Sequence, residues 1–235
     1  MPMPAVQFAR TLLDKHQQID HPATFAMLDR EWDLLPGVFA PIFTGAPSLF
    51  AQWVPYPAGG SFLEVGSGTG MIAVCAGLAG CGSVTAVDID PAAVENTVCN
   101  ARRHGLSDRI RTVASDLYDA LPGDRFDMIF WNSNFVEVPA DVDLASSLER
   151  ALFDPGYRAH RRYLAQAREH LTATGRLLLG FSSMGNVDRI GSIGTDLGYR
   201  MVVLRNEVRH VPDRVEYLLL EFIAEDWPAP ASTVG

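Results

Sequence analysis

The chain has 235 residues, a formal net charge of -9 and 48% apolar residues, which suits one ordinary globular domain and excludes a chain disordered throughout. Its apolar runs, such as Leu177–Phe181 and Tyr217–Leu220, fall far short of the roughly 20 residues a membrane-spanning helix needs. No basic tract of the kind that grips nucleic acid by charge alone is present.

Residues 1–58 differ in texture from the rest. They hold eight of the 15 prolines and the aromatics Phe25, Trp32, Phe39, Phe43, Phe50, Trp53 and Tyr56. Proline interrupts helices and leaves a sheet without a donor, so the segment is expected to form short helices joined by turns. Its aromatics either staple it to the main core, the simpler reading, or close over a ligand as a lid. No basic start followed by an apolar stretch opens the chain, so no secretory signal is expected. Three cysteines without a CxxC pair speak for a reducing, cytoplasmic setting. The 18 arginines set against the single Lys15 read as the codon bias of a GC-rich bacterial genome. The six histidines show no tight metal-ligand spacing, so no metal is expected.

From residue 59 to 226 strands and helices alternate. Phe62–Val65 reads as a buried strand, Met71–Ala79 as a helix and Val84–Val87 as a second strand. Asp90-Pro91 caps and starts a helix that Gly105 ends. Ile110–Val113 and Phe126–Trp131 are the third and fourth strands. A polar insertion occupies 132–157. His160, Leu164, Ala167 and Leu171 mark the inner face of the next helix, followed by strand Arg176–Phe181, a helix over Val187–Leu197, and strands Met201–Val208 and Val215–Ile223. The last two strands have no room for a helix between them and must be antiparallel neighbours. The tail, 227–235, reads as loose. The fold class is therefore α/β: a Rossmann-like, doubly wound, seven-stranded sheet, mostly parallel, with an antiparallel terminal strand pair and a short helical N-terminal segment.

The sharpest chemical signal is Glu64-Val-Gly66-Ser67-Gly68-Thr-Gly70 at the end of the first strand. Glycines there let the backbone approach a ligand, and the next helix aims its N-terminal amides at the same place. The third glycine comes one residue earlier than in the dinucleotide fingerprint, and an acid stands two residues before the first. That suits a ligand with an amino-acid end and a nucleoside better than a pyrophosphate. Asp88 ends the second strand, where a carboxylate can accept from both ribose hydroxyls. Asp116 follows the third strand and can accept from an adenine amine. Trp131-Asn132-Ser133-Asn134-Phe135 ends the fourth.

With FLEVGSGTG, VTAVDID, ASDLYD and the closing strand pair, the chain resembles the class I S-adenosylmethionine (SAM) methyltransferases. The resemblance implies SAM as cofactor and S-adenosylhomocysteine as product. It implies that Glu64 holds the methionine ammonium through water, that Gly66, Ser67, Gly68 and Gly70 line the methionine and ribose, that Asp88 takes the ribose hydroxyls with Ile89 on the adenine face, and that Asp116 and Leu117 meet the adenine edge. Within that class, FDMIFWNSNF is similar to the segment in which release-factor glutamine and adenine N-methyltransferases carry an NPPY-like motif. Asn132 matches the asparagine that orients the target nitrogen, at the border of cofactor and acceptor, and Phe135 matches the aromatic. Ser133 and Asn134 stand where that motif has prolines.

The leading reading is a methyltransferase acting on a nitrogen of a small metabolite or natural-product intermediate, with no nucleic acid or membrane partner and a homodimer left open. The alternatives are a protein glutamine N-methyltransferase, a small-molecule O- or C-methyltransferase, a non-catalytic SAM sensor and an NAD-dependent oxidoreductase.

Overall fold

The computed structural model describes residues 5–20, 23–210 and 214–225; the tail expected to be loose lies outside them. The elements in chain order are α1 (Ala5–Gln17), β1 (Ala23–Met27), β2 (Arg30–Leu34), α2 (Ala46–Trp53), β3 (Ser61–Val65), α3 (Met71–Leu78), β4 (Ser83–Asp88), α4 (Pro91–Arg103) and β5 (Ile110–Ala114). There follow β6 (Phe126–Asn132), β7 (Val136–Val138), α5 (Ser147–Arg150), β8 (Phe153–Pro155), α6 (Arg158–Gln166), β9 (Leu171–Ser182), α7 (Val187–Asp196), β10 (Tyr199–His210) and β11 (Arg214–Ala224).

Seven strands form the central sheet in the order β10-β11-β9-β6-β3-β4-β5. β9, β6, β3, β4 and β5 run parallel, each paired in parallel with the next. β11 alone runs against both its neighbours, β9 and β10. The chain leaves the sheet centre in one direction from β3 to β5 and in the other from β6 onward, so the gap between β3 and β6 is the switch point where open α/β sheets bind ligands.

Strand alternation sorts the core. Leu63, Val65, Ile129, Trp131, Leu177 and Leu179 meet Phe8 and Leu12 of α1, Tyr163 and Leu164 of α6, and Ile190 and Ile193 of α7. Phe62, Met128, Phe130 and Leu178 face the other way, onto Phe50 of α2, Ile72 and Val74 of α3 and Ala101 of α4. Local rules explain the helix starts. Asp90 caps α4 by accepting from the Ala92 amide at 3.0 Å, with Pro91 at the first helical position. Ser146 and Glu149 close a reciprocal capping box on α5.

The N-terminal segment is not only helical. β1 and β2 form an antiparallel hairpin around Leu28 and Asp29, both at positive φ. The hairpin survives without glycine because α4 holds it: the fully buried Asn96 and Asn100 accept from the Leu35 and Asp33 amides and return bonds to the Asp33 carbonyl, at 2.8–2.9 Å. These bonds supply partners for backbone groups that burial would otherwise leave unpaired. The helix expected through Leu171 stops at Gln166, passes through a 3-10 turn over Ala167–His170, and gives way to β9, because Leu171 pairs with Phe126 of β6. Within the insertion β7 and β8 pair in parallel.

Candidate functional site

The carboxyl ends of β3, β4, β5 and β6 open into one cavity of about 290 Å³. Every sequence-predicted site residue except Gly70 lines it: Glu64, Gly66, Ser67, Gly68, Asp88, Ile89, Asp116, Leu117, Asn132 and Phe135. Gly70 lies behind the wall at φ 74°, where a Cβ would come within 2.7 Å of the Thr97 side chain. Its role is to let α3 start close against α4. Gly68 also has positive φ, and a Cβ on it would meet nothing within 4 Å, so its backbone faces open space. Two further walls come from Phe39, Pro41 and Thr44 on one side and Leu144, Arg150, Leu152 and Phe153 of the insertion on the other.

Asp88 is committed on both oxygens. Oδ2 accepts from the Gly68 amide at 2.9 Å and Oδ1 from the Asp90 amide at 3.0 Å. Burial raises its pKa, and those amide bonds oppose the rise. Each carboxylate oxygen keeps a second lone pair, so the same group can fix the glycine loop and accept from a ligand hydroxyl. Ile89 beside it is about half exposed, an apolar surface facing the cavity. Leu117 sits at φ 54°, a strained conformation for a branched residue, and its carbonyl accepts from Ser115 Oγ at 2.9 Å. Asp116 is shared: Arg162 donates to its Oδ2 at 2.6 Å and also reaches Asp119.

Glu64 is 2% exposed, and its Oε2 accepts from the Ala73 amide in the first turn of α3 at 2.8 Å. Burial pushes its pKa well above the ordinary carboxylate range, the amide bond only partly opposing this. The folded state therefore binds the Glu64 proton more tightly than the unfolded chain. Folding stability falls as pH rises above the ordinary carboxylate range and levels off beyond the folded-state pKa. Glu64→Gln keeps an acceptor and removes the charge. Without ligand it is expected to melt higher than wild type at neutral pH, with no such advantage in acid, while S-adenosylhomocysteine affinity falls about tenfold as the ligand ammonium loses its counter-charge. Thermal melts across pH together with calorimetry check both halves. An unchanged pH profile would show that Glu64 is ionised at no cost.

Asn132 ends β6 at the cavity, half-buried. The next three residues are pinned. Ser133 Oγ donates to the Gly180 carbonyl at 2.9 Å. Asn134 Nδ2 donates to the carbonyls of Arg150 and Phe153 at 2.9 and 2.7 Å. Phe135 is buried, edge-on to Phe181 with ring centroids 6.2 Å apart.

Several contributors escape a motif reading. Thr97 bonds Ser67 Oγ at 3.0 Å and the Gly68 carbonyl at 3.3 Å, and Asn100 donates to the Thr69 carbonyl at 2.8 Å, so α4 holds the glycine loop from behind. In the sequence they appear only as a threonine and an asparagine three residues apart on a helix, and their burial is seen in the structure. Asp154, 1% exposed, lines the cavity and bonds His160 Nδ1 at 2.7 Å.

These residues fit S-adenosylmethionine: an open glycine backbone, a buried acid for an ammonium, an acid with free lone pairs for ribose, and an exposed isoleucine for a purine face. The family model described as methyltransferase small domain matches residues 33–206. The chain is 36% identical over 132 residues to a release factor glutamine methyltransferase of Bordetella pertussis, covering 55% of this chain and 45% of that one. It is 30% identical over 126 residues to a ribosomal protein uL3 glutamine methyltransferase of Francisella tularensis subsp. tularensis, covering 51% and 40%. The matches thus span less than half the length of these curated relatives. A 16S rRNA N2 G1207 methyltransferase of T. thermophilus, solved with AdoMet and guanosine, shares the fold at a TM-score of 0.58 and 20% identity, over 86% of this chain and 50% of that one.

These comparisons correct the expected partner. The relatives are named for protein acceptors and the fold neighbour for rRNA, so the small-molecule acceptor, the natural-product setting and the expectation against nucleic acid are withdrawn. The structure supplies a physical reason for the first two. The N-terminal aromatics expected to shape a compact pocket are spent elsewhere: Phe25, Trp32 and Phe50 are buried in the core, and of the seven only Phe39 lines the cavity. Among the described residues no helix is long and apolar enough to cross a membrane. With residues 33–206 matched by the family model, the chain belongs to the methyltransferase small domain family, within the class I SAM-dependent methyltransferases.

Proposed function

We propose that this chain methylates a side-chain amide nitrogen, a glutamine, of a protein in the translation apparatus. The observation that carries the reading is Asn132, presented at the cavity by the end of β6 with every following residue of its loop tied down. Bound there, SAM would supply an electrophilic methyl carbon with S-adenosylhomocysteine as leaving group: the C–S bond breaks as the N–C bond forms, and the nitrogen's proton is lost to solvent. The rest falls to the chain's own residues. An amide nitrogen is a poor nucleophile, so a hydrogen bond from its N–H to the Asn132 side-chain carbonyl both orients it and raises its electron density. Phe135 packs against the acceptor chain, and the walls at Phe39, Leu144, Leu152 and Phe153 exclude water.

The names of the relatives favour a protein acceptor, and so does charge. A chain of net charge -9 attracts basic partners such as ribosomal proteins at long range. The insertion beside the cavity carries Glu137, Asp141, Asp143 and Glu149.

The test is to incubate the purified chain with methyl-tritiated SAM and, in separate reactions, a release factor, uL3, L11 and deproteinised rRNA. Label in one protein, mapped by mass spectrometry to a glutamine, is the expected result. Label confined to rRNA, or mapped to a lysine, would overturn the acceptor assignment.

A further inference from the structure

The loop from Asn132 to Phe135 contains no proline, so its shape rests on side-chain bonds. The tie at its far end differs from the others. Tyr157 is fully buried, and its hydroxyl donates to the Phe135 carbonyl at 3.0 Å. The same oxygen accepts from the amide of Asn186, the residue that caps α7, at 2.8 Å. One hydroxyl thus joins the loop after β6, the start of α6 and the start of α7. Tyr157 does not line the cavity. Its side chain is spent wholly on this junction, boxed by the His160 ring at 5.0 Å, the Phe181 ring at 6.2 Å and the Arg189 guanidinium at 5.8 Å.

The backbone that delivers this hydroxyl is costly. Tyr157 has φ 53°, directly after Gly156 at φ 61°, and left-handed conformations are rare for a bulky residue. The turn is held by its own supports. The Asp154 carboxylate accepts from the Ala159 and His160 amides at 3.1 and 3.0 Å and from His160 Nδ1 at 2.7 Å. The Phe135 carbonyl is confined from a second direction as well, since a Cβ on Gly185 would lie 2.2 Å from it. A single carbonyl held between a strained tyrosine and a glycine has almost no freedom to move, and it belongs to the residue that closes the Asn132 loop.

We propose that Tyr157 is a positioning residue: its hydroxyl, by clasping the Phe135 carbonyl, holds the Asn132–Phe135 loop in the attitude that aligns the acceptor nitrogen, without touching acceptor or cofactor. The catalytic half of this statement rests on the function proposed above; the structural half does not. The buried hydroxyl is suited to the task because burial pushes its pKa up to about 12, which keeps it a donor at any working pH.

The test is Tyr157→Phe, which removes only the hydroxyl, in the full chain. Three quantities are read: amide exchange by mass spectrometry, S-adenosylhomocysteine affinity by calorimetry, and kcat and KM on whichever translation protein wild type methylates. Exchange in residues 133–136 is expected to rise about fivefold or more while β3 and β4 stay protected. Affinity is expected to stay within about twofold, and kcat to fall about tenfold with little change in KM for SAM. Gly185→Ala, which presses the same carbonyl from the other side, is expected to give the same pattern. Unchanged exchange at 133–136 in both variants would overturn the clasp. Exchange rising throughout the sheet, or loss of S-adenosylhomocysteine affinity, would reduce Tyr157 to a fold-wide role and overturn the proposal. Local loosening with unchanged kcat would overturn its catalytic half. If wild type methylates none of the proteins offered, the acceptor reading fails, and the exchange pattern still decides the clasp.

Discussion

Asp88→Ala is expected to weaken binding of SAM and S-adenosylhomocysteine about a hundredfold, equivalent to about 2.8 kcal/mol at 1.4 kcal/mol per tenfold. Two losses make that figure a lower bound. Hydrogen bonds from ligand hydroxyls to a carboxylate contribute about 1.5–3 kcal/mol each, and the variant cannot make them. Asp88 also accepts from the Gly68 amide, so its removal frees the glycine loop that faces the ligand, and binding must then order that loop again. The effect on folding is smaller. The Gly68 and Asp90 amides lose their partner, but the cost of burying the Asp88 charge disappears with it. A melting temperature within a few degrees of wild type is expected, at roughly 2–4 °C per kcal/mol for a chain of this size. Calorimetry on the folded variant is the measurement. Affinity within threefold of wild type would sink the ribose assignment.

Asn132→Ala is expected to act on the other half of the reaction. Turnover on the protein acceptor should fall about a hundredfold or more, in the range seen when one preorganised hydrogen-bonding group is removed from a reacting centre. SAM affinity should stay within a few-fold, because Asp88, Glu64 and the glycine loop are untouched. Lost turnover with retained cofactor affinity marks an interaction made with the acceptor or in the transition state. If turnover and SAM affinity fall together, Asn132 belongs to the cofactor side of the cavity. If turnover survives, the orienting role is wrong. Ser133 and Asn134 hold their bonds to Gly180, Arg150 and Phe153 in either case, so the loop itself should keep its shape.

The two experiments divide the site as the sheet does. Asp88 ends β4, on one side of the switch point beside β3, and Asn132 ends β6 on the other. On the proposed reading cofactor and acceptor meet between strands that the chain reaches by crossing over, and a change on one side is expected to leave the other intact.

The partner expectation failed for an instructive reason. A proline- and aromatic-rich segment ahead of a nucleotide-type fold reads as pocket lining, because aromatics need burial somewhere. The sequence does not say where. Trp32 turned inward against the His104 ring at 4.5 Å, and Phe50 against Phe130 at 5.9 Å. The hairpin that carries Trp32 was missed because its turn, Leu28-Asp29, lacks the glycine that usually announces such a turn. What stabilises it lies about 60 to 70 residues away, in Asn96 and Asn100. The position of β11 inside the sheet is legible in its residues. Its run Tyr217–Leu220 is apolar without alternation, the mark of a strand covered on both faces, whereas β10 carries Arg200, Arg205, Glu207 and Arg209, as an edge strand should.

Legible in the residues alone are the features that depend on near neighbours in the chain: the strand ends, the glycine turn after β3, the Asp90-Pro91 helix start, and the acids and asparagine that fall at successive carboxyl edges. These are set by backbone sterics and by side-chain spacing of a few residues, so they can be read from a short window. Tertiary structure alone decided what joins distant segments. It set which aromatics became core and which became wall, committed Asp116 to Arg162, and placed the Tyr157 hydroxyl on the Phe135 carbonyl. The aromatics fill spaces, and the tyrosine satisfies a buried carbonyl, that exist only once the sheet has closed; the half-exposed Asp116–Arg162 pair joins residues 46 apart; and no local window of residues contains both partners.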